Sequence, residues 1–197
     1  MRLRTVVILL STSVLACGAL AQPLADDNLS VNARFLVAAR SADAAGIERG
    51  LAAGANVNSR NRLGESALVI LLKTNKVDLA QKVLAAGADV NLAAVNGITP
   101  LMAAAFTGQA GMAKQLLDKG ADVAALDRLQ KNAMTYAAGA GSTEIVELLI
   151  SRGVNPNAVY NNNLTALLWA AGFGKTAADM AREGNFTETA AVLDAAG

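Results

Sequence analysis

A five-residue phrase recurs four times at one fixed interval, and that interval constrains the fold more than any other feature of the chain. Its copies start at Gly54, Gly87, Gly120 and Gly153, so each step is 33 residues. Most copies read as Gly-Ala, then Asn or Asp, then Val. A fixed period of roughly 20 to 50 residues is typical of a solenoid, in which stacked units contact mainly their neighbours. The interval therefore predicts an extended repeat scaffold, a kind of architecture that mostly binds other molecules.

A helix-capping residue recurs at the same interval. Ser66, Thr99, Asn132 and Thr165 each precede a short alanine-rich stretch, and their side-chain oxygens can accept hydrogen bonds from the first free N–H groups of a helix. Pro100 follows Thr99 at the first helical position, where no N–H is needed. The pattern predicts one short helix after each cap.

A second helix is predicted in each unit. Val77–Leu84 and Glu144–Ile150 carry apolar residues at helical spacing with charges on the other face. The recurring glycines then end these helices, as glycine commonly does past a helix C-terminus. Asp89 and Asp122 recur with the period, so we interpret them as turn residues whose side chains bond to nearby backbone.

At these residues, over about 29–197, the chain resembles the ankyrin repeat family. The resemblance implies an all-α solenoid of stacked antiparallel helix pairs with projecting β-turn fingers. About five units result, at approximately 29–60, 61–93, 94–126, 127–159 and an irregular 160–197. The family's usual Thr-Pro-Leu-His motif lacks its histidine, and somewhat weaker coupling between neighbouring turns is expected. The residues in its place are Val69, Met102, Thr135 and Leu168.

Both ends of the array depart from the repeat. The first unit has no recognisable finger or cap. Near the C-terminus, Gly172-Phe173-Gly174 matches the end of a first helix, yet Lys175–Ala181 resembles the start of another unit. Either Thr176–Glu183 takes a second-helix position, or it forms a new first helix paired with Thr187–Ala195. The second arrangement is favoured, because Gly184-Asn185 resembles the turn between paired helices.

Residues 1–21 have the pattern of an export signal. Arg2 and Arg4 precede an apolar run from Thr5 to Leu15, too short to span a bilayer, and Ala19-Leu20-Ala21 fits a cleavage site. Cleavage before Gln22 would leave 22–28 as a flexible N-terminus. A lipobox-like Val14-Leu15-Ala16-Cys17 keeps a lipid anchor at Cys17 open as the minority alternative. Export with an ankyrin-like body points to a bacterial periplasm or to secretion, and that last step rests on the resemblance.

Composition removes several classes of chemistry. The chain has no histidine, and Cys17 is its only cysteine. These absences exclude a Cys–His pair, a Ser-His-Asp triad and the usual zinc sites, so we expect no enzyme activity, no cofactor and no metal. The formal net charge is +1, and it becomes −1 without residues 1–21, which hold two arginines and no acid. A near-neutral body gives no electrostatic case for nucleic acid.

The resemblance places partner binding on the fingers and the exposed edge of the first helices. Large exposed apolar patches mark interaction sites, and aromatic residues with arginine are typical anchors. Packing of finger against finger is the competing explanation for the aliphatic members. The candidate residues are Arg62, Leu63, Glu65, Val95, Ile98, Phe106, Arg128, Lys131, Asn162, Leu164 and Phe173.

Two functions remain open at this point. The favoured one is a non-enzymatic, monomeric periplasmic scaffold that binds a protein partner. The alternative is a small-molecule or glycan binder, or a carboxylate-based hydrolase, of the cell envelope. An unpaired cluster of acids in a concave pocket would distinguish the alternative.

Overall fold

Helices make up nearly all of the regular structure. The computed structural model describes residues 29–155, 177–183 and 185–196. The predicted leader, Thr165 and Leu168 lie outside those ranges. Within them no strand forms, apart from one isolated antiparallel bridge between Arg60 and Ser66. The helices are α1 (Val31–Ser41), α2 (Ala44–Ala52), α3 (Ala67–Lys73), α4 (Val77–Ala85), α5 (Pro100–Phe106), α6 (Ala110–Asp118), α7 (Ala133–Gly139), α8 (Thr143–Ser151), α9 (Ala177–Glu183) and α10 (Thr187–Ala195).

The predicted caps begin the first helices of the middle units. The side chains of Ser66, Thr99 and Asn132 accept hydrogen bonds from the backbone N–H three residues on. Pro100 opens α5 as expected. At the other end of each unit, Gly87 and its equivalents have positive φ, which lets the chain leave the second helix without strain. The local signals in the sequence therefore set the ends of the helices.

The helices pair and stack in two layers. Each first helix packs on the second helix of its own unit, and α1, α3, α5, α7 and α9 contact one another in succession. In the other layer α6 contacts α8, which contacts α10. Alanines such as Ala104 and Ala137 are fully buried between first helices, where larger residues would push the helices apart. Leu68, Leu101 and Met134 fill the remaining core.

Asparagine side chains form hydrogen bonds between the loops that follow consecutive second helices. Asn58 Oδ1 accepts from Asp89 N at 2.9 Å, and Asn91 Oδ1 accepts from Asp122 N at 2.8 Å, one period later. Within a loop, Asp89 Oδ1 accepts from Asn91 N at 2.8 Å. The interpretation of Asp89 and Asp122 as turn residues is confirmed. At the next step the position holds Ala124, whose methyl group cannot accept a hydrogen bond.

The expectation that the first unit lacks a cap is wrong. Ser30 Oγ accepts from Ala33 N at 3.2 Å and begins α1. Because α1 has eleven residues and α3 has seven, this cap lies one turn ahead of the position that the 33-residue period indicates. A search at the fixed period therefore misses it.

The favoured arrangement of the C-terminus is confirmed. Helix α9 packs on α7, as α7 packs on α5, and α10 pairs with α9. The Phe186 ring lies against Gly141, where an added Cβ would approach a ring carbon to 2.4 Å. The hydroxyls of Thr143 and Thr189 share a hydrogen bond of 2.6 Å across the same interface. The last helix pair thus has specific contacts with the fourth unit.

The described helices are also short. None combines the length and the apolar character that crossing a bilayer requires.

Candidate protein-binding surface

Three fingers project between the helix pairs with the same backbone geometry. In the first, Asn61 N donates to Glu65 O at 3.0 Å and Gly64 N donates to Asn61 O at 2.9 Å. Residues 94–98 and 127–131 repeat both bonds one and two periods later. Each finger is a tight turn closed by its own backbone, so its two tip residues are held in place whatever their side chains are.

Neighbouring fingers are joined by backbone hydrogen bonds. Val95 N donates to Leu63 O at 2.9 Å, and Arg128 N donates to Asn96 O at 3.0 Å. Gly97 permits this approach: its φ is +85°, and a Cβ there would lie 2.7 Å from Asp127 Cα. These bonds couple neighbouring fingers through main-chain atoms.

The tips form two rows along the stack. The first row is Arg62, Val95 and Arg128, and the second is Leu63, Asn96 and Leu129. Leu63 is 65% exposed, Val95 50% and Leu129 42%. Finger-against-finger packing therefore leaves much of each of these aliphatic side chains accessible to solvent.

An aromatic pair lies where the third finger meets the helices. The Phe106 ring, 62% exposed, contacts the Tyr136 ring edge to face with centroids 6.2 Å apart. Lys131 Nζ lies 6.0 Å from the centre of the Tyr136 ring, within cation–π range. Tyr136 Oη donates to Asp127 Oδ2 at 2.6 Å, so the tyrosine is fixed from both sides.

Asp127 organises that third finger. It is only 4% exposed, and its Oδ1 accepts from both Leu129 N and Lys131 N at 2.8 Å. Burial raises the pKa of Tyr136 well above its usual value, and the hydrogen bond to Asp127 raises it further. Tyr136 therefore keeps its phenol proton at any physiological pH.

Glu65 occupies a similar internal position in the first finger. Its carboxylate accepts from Lys73 Nζ at 2.6 Å and from Asn61 Nδ2 at 2.9 Å. Burial alone would raise the pKa of Glu65, but these two hydrogen bonds, with the positive charges of Lys73 and Arg40, hold it below its usual range. Glu65 therefore stays ionised and is poorly suited to act as a proton donor.

Comparison with protein families agrees with this architecture. A model of ankyrin repeats (3 copies) matches residues 35–127, and a second, of ankyrin repeats (many copies), matches residues 135–182. The chain belongs to the ankyrin repeat family. No curated protein matches the chain. Ankyrin repeats generally mediate binding between proteins, and proteins built from them are typically non-enzymatic scaffolds.

The ankyrin fingers bring most of the described candidates onto one surface. Arg62, Leu63, Val95, Phe106 and Arg128 are exposed on it. We call these five residues, together with Leu129, Lys131 and Tyr136, the finger surface.

Three other candidates are less accessible, and three lie elsewhere. Glu65, Ile98 and Lys131 are half-buried, and Ile98 packs against the core. Asn162, Leu164 and Phe173 lie outside the described residues.

Sequence reasoning missed two residues next to this surface. Leu126 is 44% exposed at the base of the third finger, and the charge of Arg40 reaches Glu65 from α1. Leu126 stands one period after Ala93 and two periods after Arg60. Because these equivalent positions hold three different residue types, the repeat pattern does not single out Leu126. Exposure alone reveals it.

Nothing in the described ranges gathers the ligands that a metal needs. No group of three or more His, Cys, Asp or Glu side chains comes together there. The finger surface offers apolar area, aromatic rings and cations, and its two nearby carboxylates already have partners.

Proposed function

We propose that this ankyrin repeat protein is an exported, non-enzymatic scaffold that binds a protein partner through the finger surface. The observation that carries the proposal is the exposure of Leu63, Val95 and Phe106 on a backbone that holds them rigidly. Rigid anchors lose little conformational entropy on binding, and exposed apolar or aromatic residues beside arginine are the usual centres of protein interfaces.

The location rests on the leader. Residues 1–21 combine a basic start, a short apolar run and a small-residue cleavage motif, which together favour export. After removal of that segment before Gln22 the chain has no thiol, so no wrong disulfide can form in an oxidising compartment. We propose the bacterial periplasm as the compartment and a monomer as the state of the protein.

The hydrolase alternative has less support. A carboxylate that acts as a general acid usually has a raised pKa, because it must hold its proton near neutral pH. The pKa of Glu65 is lowered, and Asp127 already accepts three hydrogen bonds. Neither carboxylate on this side of the molecule has the environment that the alternative requires.

Affinity capture from the periplasmic extract tests the binding function. The native protein is the bait, beside an Arg62→Ala/Phe106→Ala/Arg128→Ala variant of the finger surface. A matched control variant, Lys76→Ala/Gln81→Ala/Lys119→Ala, removes three exposed side chains from the second-helix layer. We expect one protein to be retained by the native and control baits and lost from the finger variant. Equal retention by all three folded baits would refute binding through the finger surface.

Cell fractionation tests the location. We expect the protein in the osmotic-shock fluid, with the mass of a chain whose first residue is Gln22. A full-length chain in the cytosolic fraction would contradict export. A lipid-modified Cys17 in the membrane fraction would show that the protein is exported as a lipid-anchored protein and not cleaved before Gln22.

A further inference from the structure

Charge is unevenly divided between the two layers of the solenoid. In residues 29–155, the fingers and first helices hold seven basic and two acidic residues, while the second helices and their loops hold six basic and eight acidic residues. The near-neutral total conceals this separation. The seven basic residues are Arg34, Arg40, Arg60, Arg62, Lys73, Arg128 and Lys131, and the two acids are Glu65 and Asp127.

Both acids have hydrogen-bond partners within the protein. Glu65 is bound by Lys73 and Asn61, and its side chain is only 13% exposed. Asp127 is buried under the Tyr136 hydroxyl and two backbone N–H groups. Neither carboxylate is therefore open to direct contact with an approaching molecule.

Two of these basic residues form no ion pair with the described residues. Arg62 and Arg128 are exposed at equivalent finger tips two units apart, and no carboxylate of the described ranges lies within ion-pair distance of either. Arg60 differs, because its guanidinium donates to Gly64 O at 2.8 Å and to Ala93 O at 2.6 Å. Arg60 holds two fingers together, whereas Arg62 and Arg128 are available to a ligand.

Each free arginine has an apolar neighbour at its own tip. Leu63 follows Arg62 and Leu129 follows Arg128, with Val95 between the two arginines along the first row. Phe106 adds an aromatic ring behind them. A partner that matches this pattern carries two carboxylates at the same spacing as the two guanidinium groups, with apolar side chains between these carboxylates.

We propose that the partner segment bound by the finger surface is an acidic protein segment with interspersed apolar residues. The proposal rests on the protein-binding function proposed above and specifies its ligand. Guanidinium groups bind carboxylates in a planar, bidentate geometry, and complementary charge speeds encounter and fixes orientation. The acidic excess of the second-helix layer repels the same segment, so the segment is directed to one side of the molecule.

A nucleic acid fits this surface less well. Proteins that bind nucleic acid through its backbone typically neutralise several phosphates with a run of Lys and Arg. The described fingers present two exposed tip arginines, Arg62 and Arg128, and Val95 between them is aliphatic. We therefore argue for a protein ligand, and nucleic acid becomes an outcome of the test.

Selection of displayed random peptides on the full chain tests the proposal. Enriched peptides are then titrated by fluorescence anisotropy against the native chain, an Arg62→Glu/Arg128→Glu variant and a Lys76→Glu/Lys119→Glu variant. The two variants carry the same change in net charge on opposite layers, and Lys76 and Lys119 are exposed. Circular dichroism and thermal unfolding establish that each variant is folded.

We expect peptides rich in Asp and Glu, with affinity for the finger variant lowered at least about tenfold and for the control changed little. Affinity should also fall as salt rises. Enriched peptides without acidic excess, or equal loss in both variants, would overturn the proposal, as would tighter binding of a random-sequence DNA duplex at this surface.

A Phe106→Ala variant separates this proposal from the general one. If it weakens peptides that carry no acidic excess, the finger surface binds proteins but not by charge, and only the acidic assignment fails. If neither Phe106→Ala nor the charge reversal affects any enriched peptide, the binding function and its ligand class fail together.

Discussion

Gly97 makes the contact between fingers possible, and replacing it tests how much that contact stabilises the protein. Gly97 has a φ of +85°, and a Cβ there would lie 2.7 Å from Asp127 Cα and 3.1 Å from Arg128 N. These are backbone atoms, so no side chain can rotate away. Gly97→Ala must therefore move the third finger and break the bond of 3.0 Å from Arg128 N to Asn96 O.

Gly120 offers a matched control. Its φ is also +85°, and nothing lies within 4 Å of a Cβ built on it. Gly120→Ala incurs only the cost of placing a side chain in the left-handed region, about 1–2 kcal/mol. Gly97→Ala has the same conformational cost, and it also loses a backbone hydrogen bond and overpacks two turns. These two effects should lower the free energy of unfolding by about 2 kcal/mol more.

Urea unfolding monitored by circular dichroism measures the difference. We expect the free energy of unfolding to fall by about 1–2 kcal/mol for Gly120→Ala and by about 3–4 kcal/mol for Gly97→Ala, with similar slopes against urea. Equal losses would refute the reasoning, because they would mean that the fingers do not press on each other at Gly97. The peptide affinity of Gly97→Ala should also fall, since the tip rows would no longer be aligned.

The remaining predictions concern a cap, a hydrogen bond and an end of the array. Ala42 has a φ of 55° where later units have Gly108 and Gly141, so Ala42→Gly should raise the melting temperature, a gain of about 1 kcal/mol; an unchanged or lower value would contradict this. Tyr136→Phe should lower stability by about 2 kcal/mol through the lost bond to Asp127. Because the folded pKa of Tyr136 is raised, native stability should decline as pH rises above about 10, and this decline should be smaller in Tyr136→Phe, as denaturant titrations at pH 8 and 11 can show. Native-state hydrogen exchange should be faster in 177–196 than in 67–118, since a terminal unit has one neighbour; equal protection would contradict this.

The helical framework could be predicted because its signals are local. Ser66, Thr99 and Asn132 cap helices through atoms three residues away, so the sequence around each cap is sufficient. Gly87 ends a helix through its own backbone freedom. Repetition at 33 residues extends these local conclusions across the middle units.

Contacts that break the period could not be predicted in this way. Tyr136 stands where earlier units have Ile70 and Ala103, so its bond to Asp127 has no counterpart from which to infer it. Ser30 caps α1 one turn out of step. Both depend on geometry that only the folded chain provides.

The position of the finger tips could be predicted from the sequence, but the contacts of the charged residues around them could not. The fingers could be located from the repeat, and Arg62, Phe106 and Arg128 are exposed there as expected. That Glu65 is neutralised internally by Lys73 could not be inferred from residues eight positions apart. The net positive charge of this side follows from how the charged residues are distributed between the two layers, which total composition conceals.

The closed backbone of each finger has a consequence for how such a protein can change over evolutionary time. In the part of the chain that the structure describes, the side chains of Arg62, Leu63, Arg128 and Leu129 make no hydrogen bond, while the bonds that close and join the fingers come from main-chain atoms and from residues at the finger bases. Substitutions at the tips can alter which molecule is recognised and leave the folded state almost untouched. A lineage can therefore exchange one binding partner for another through single mutations, without first acquiring compensating changes in the core.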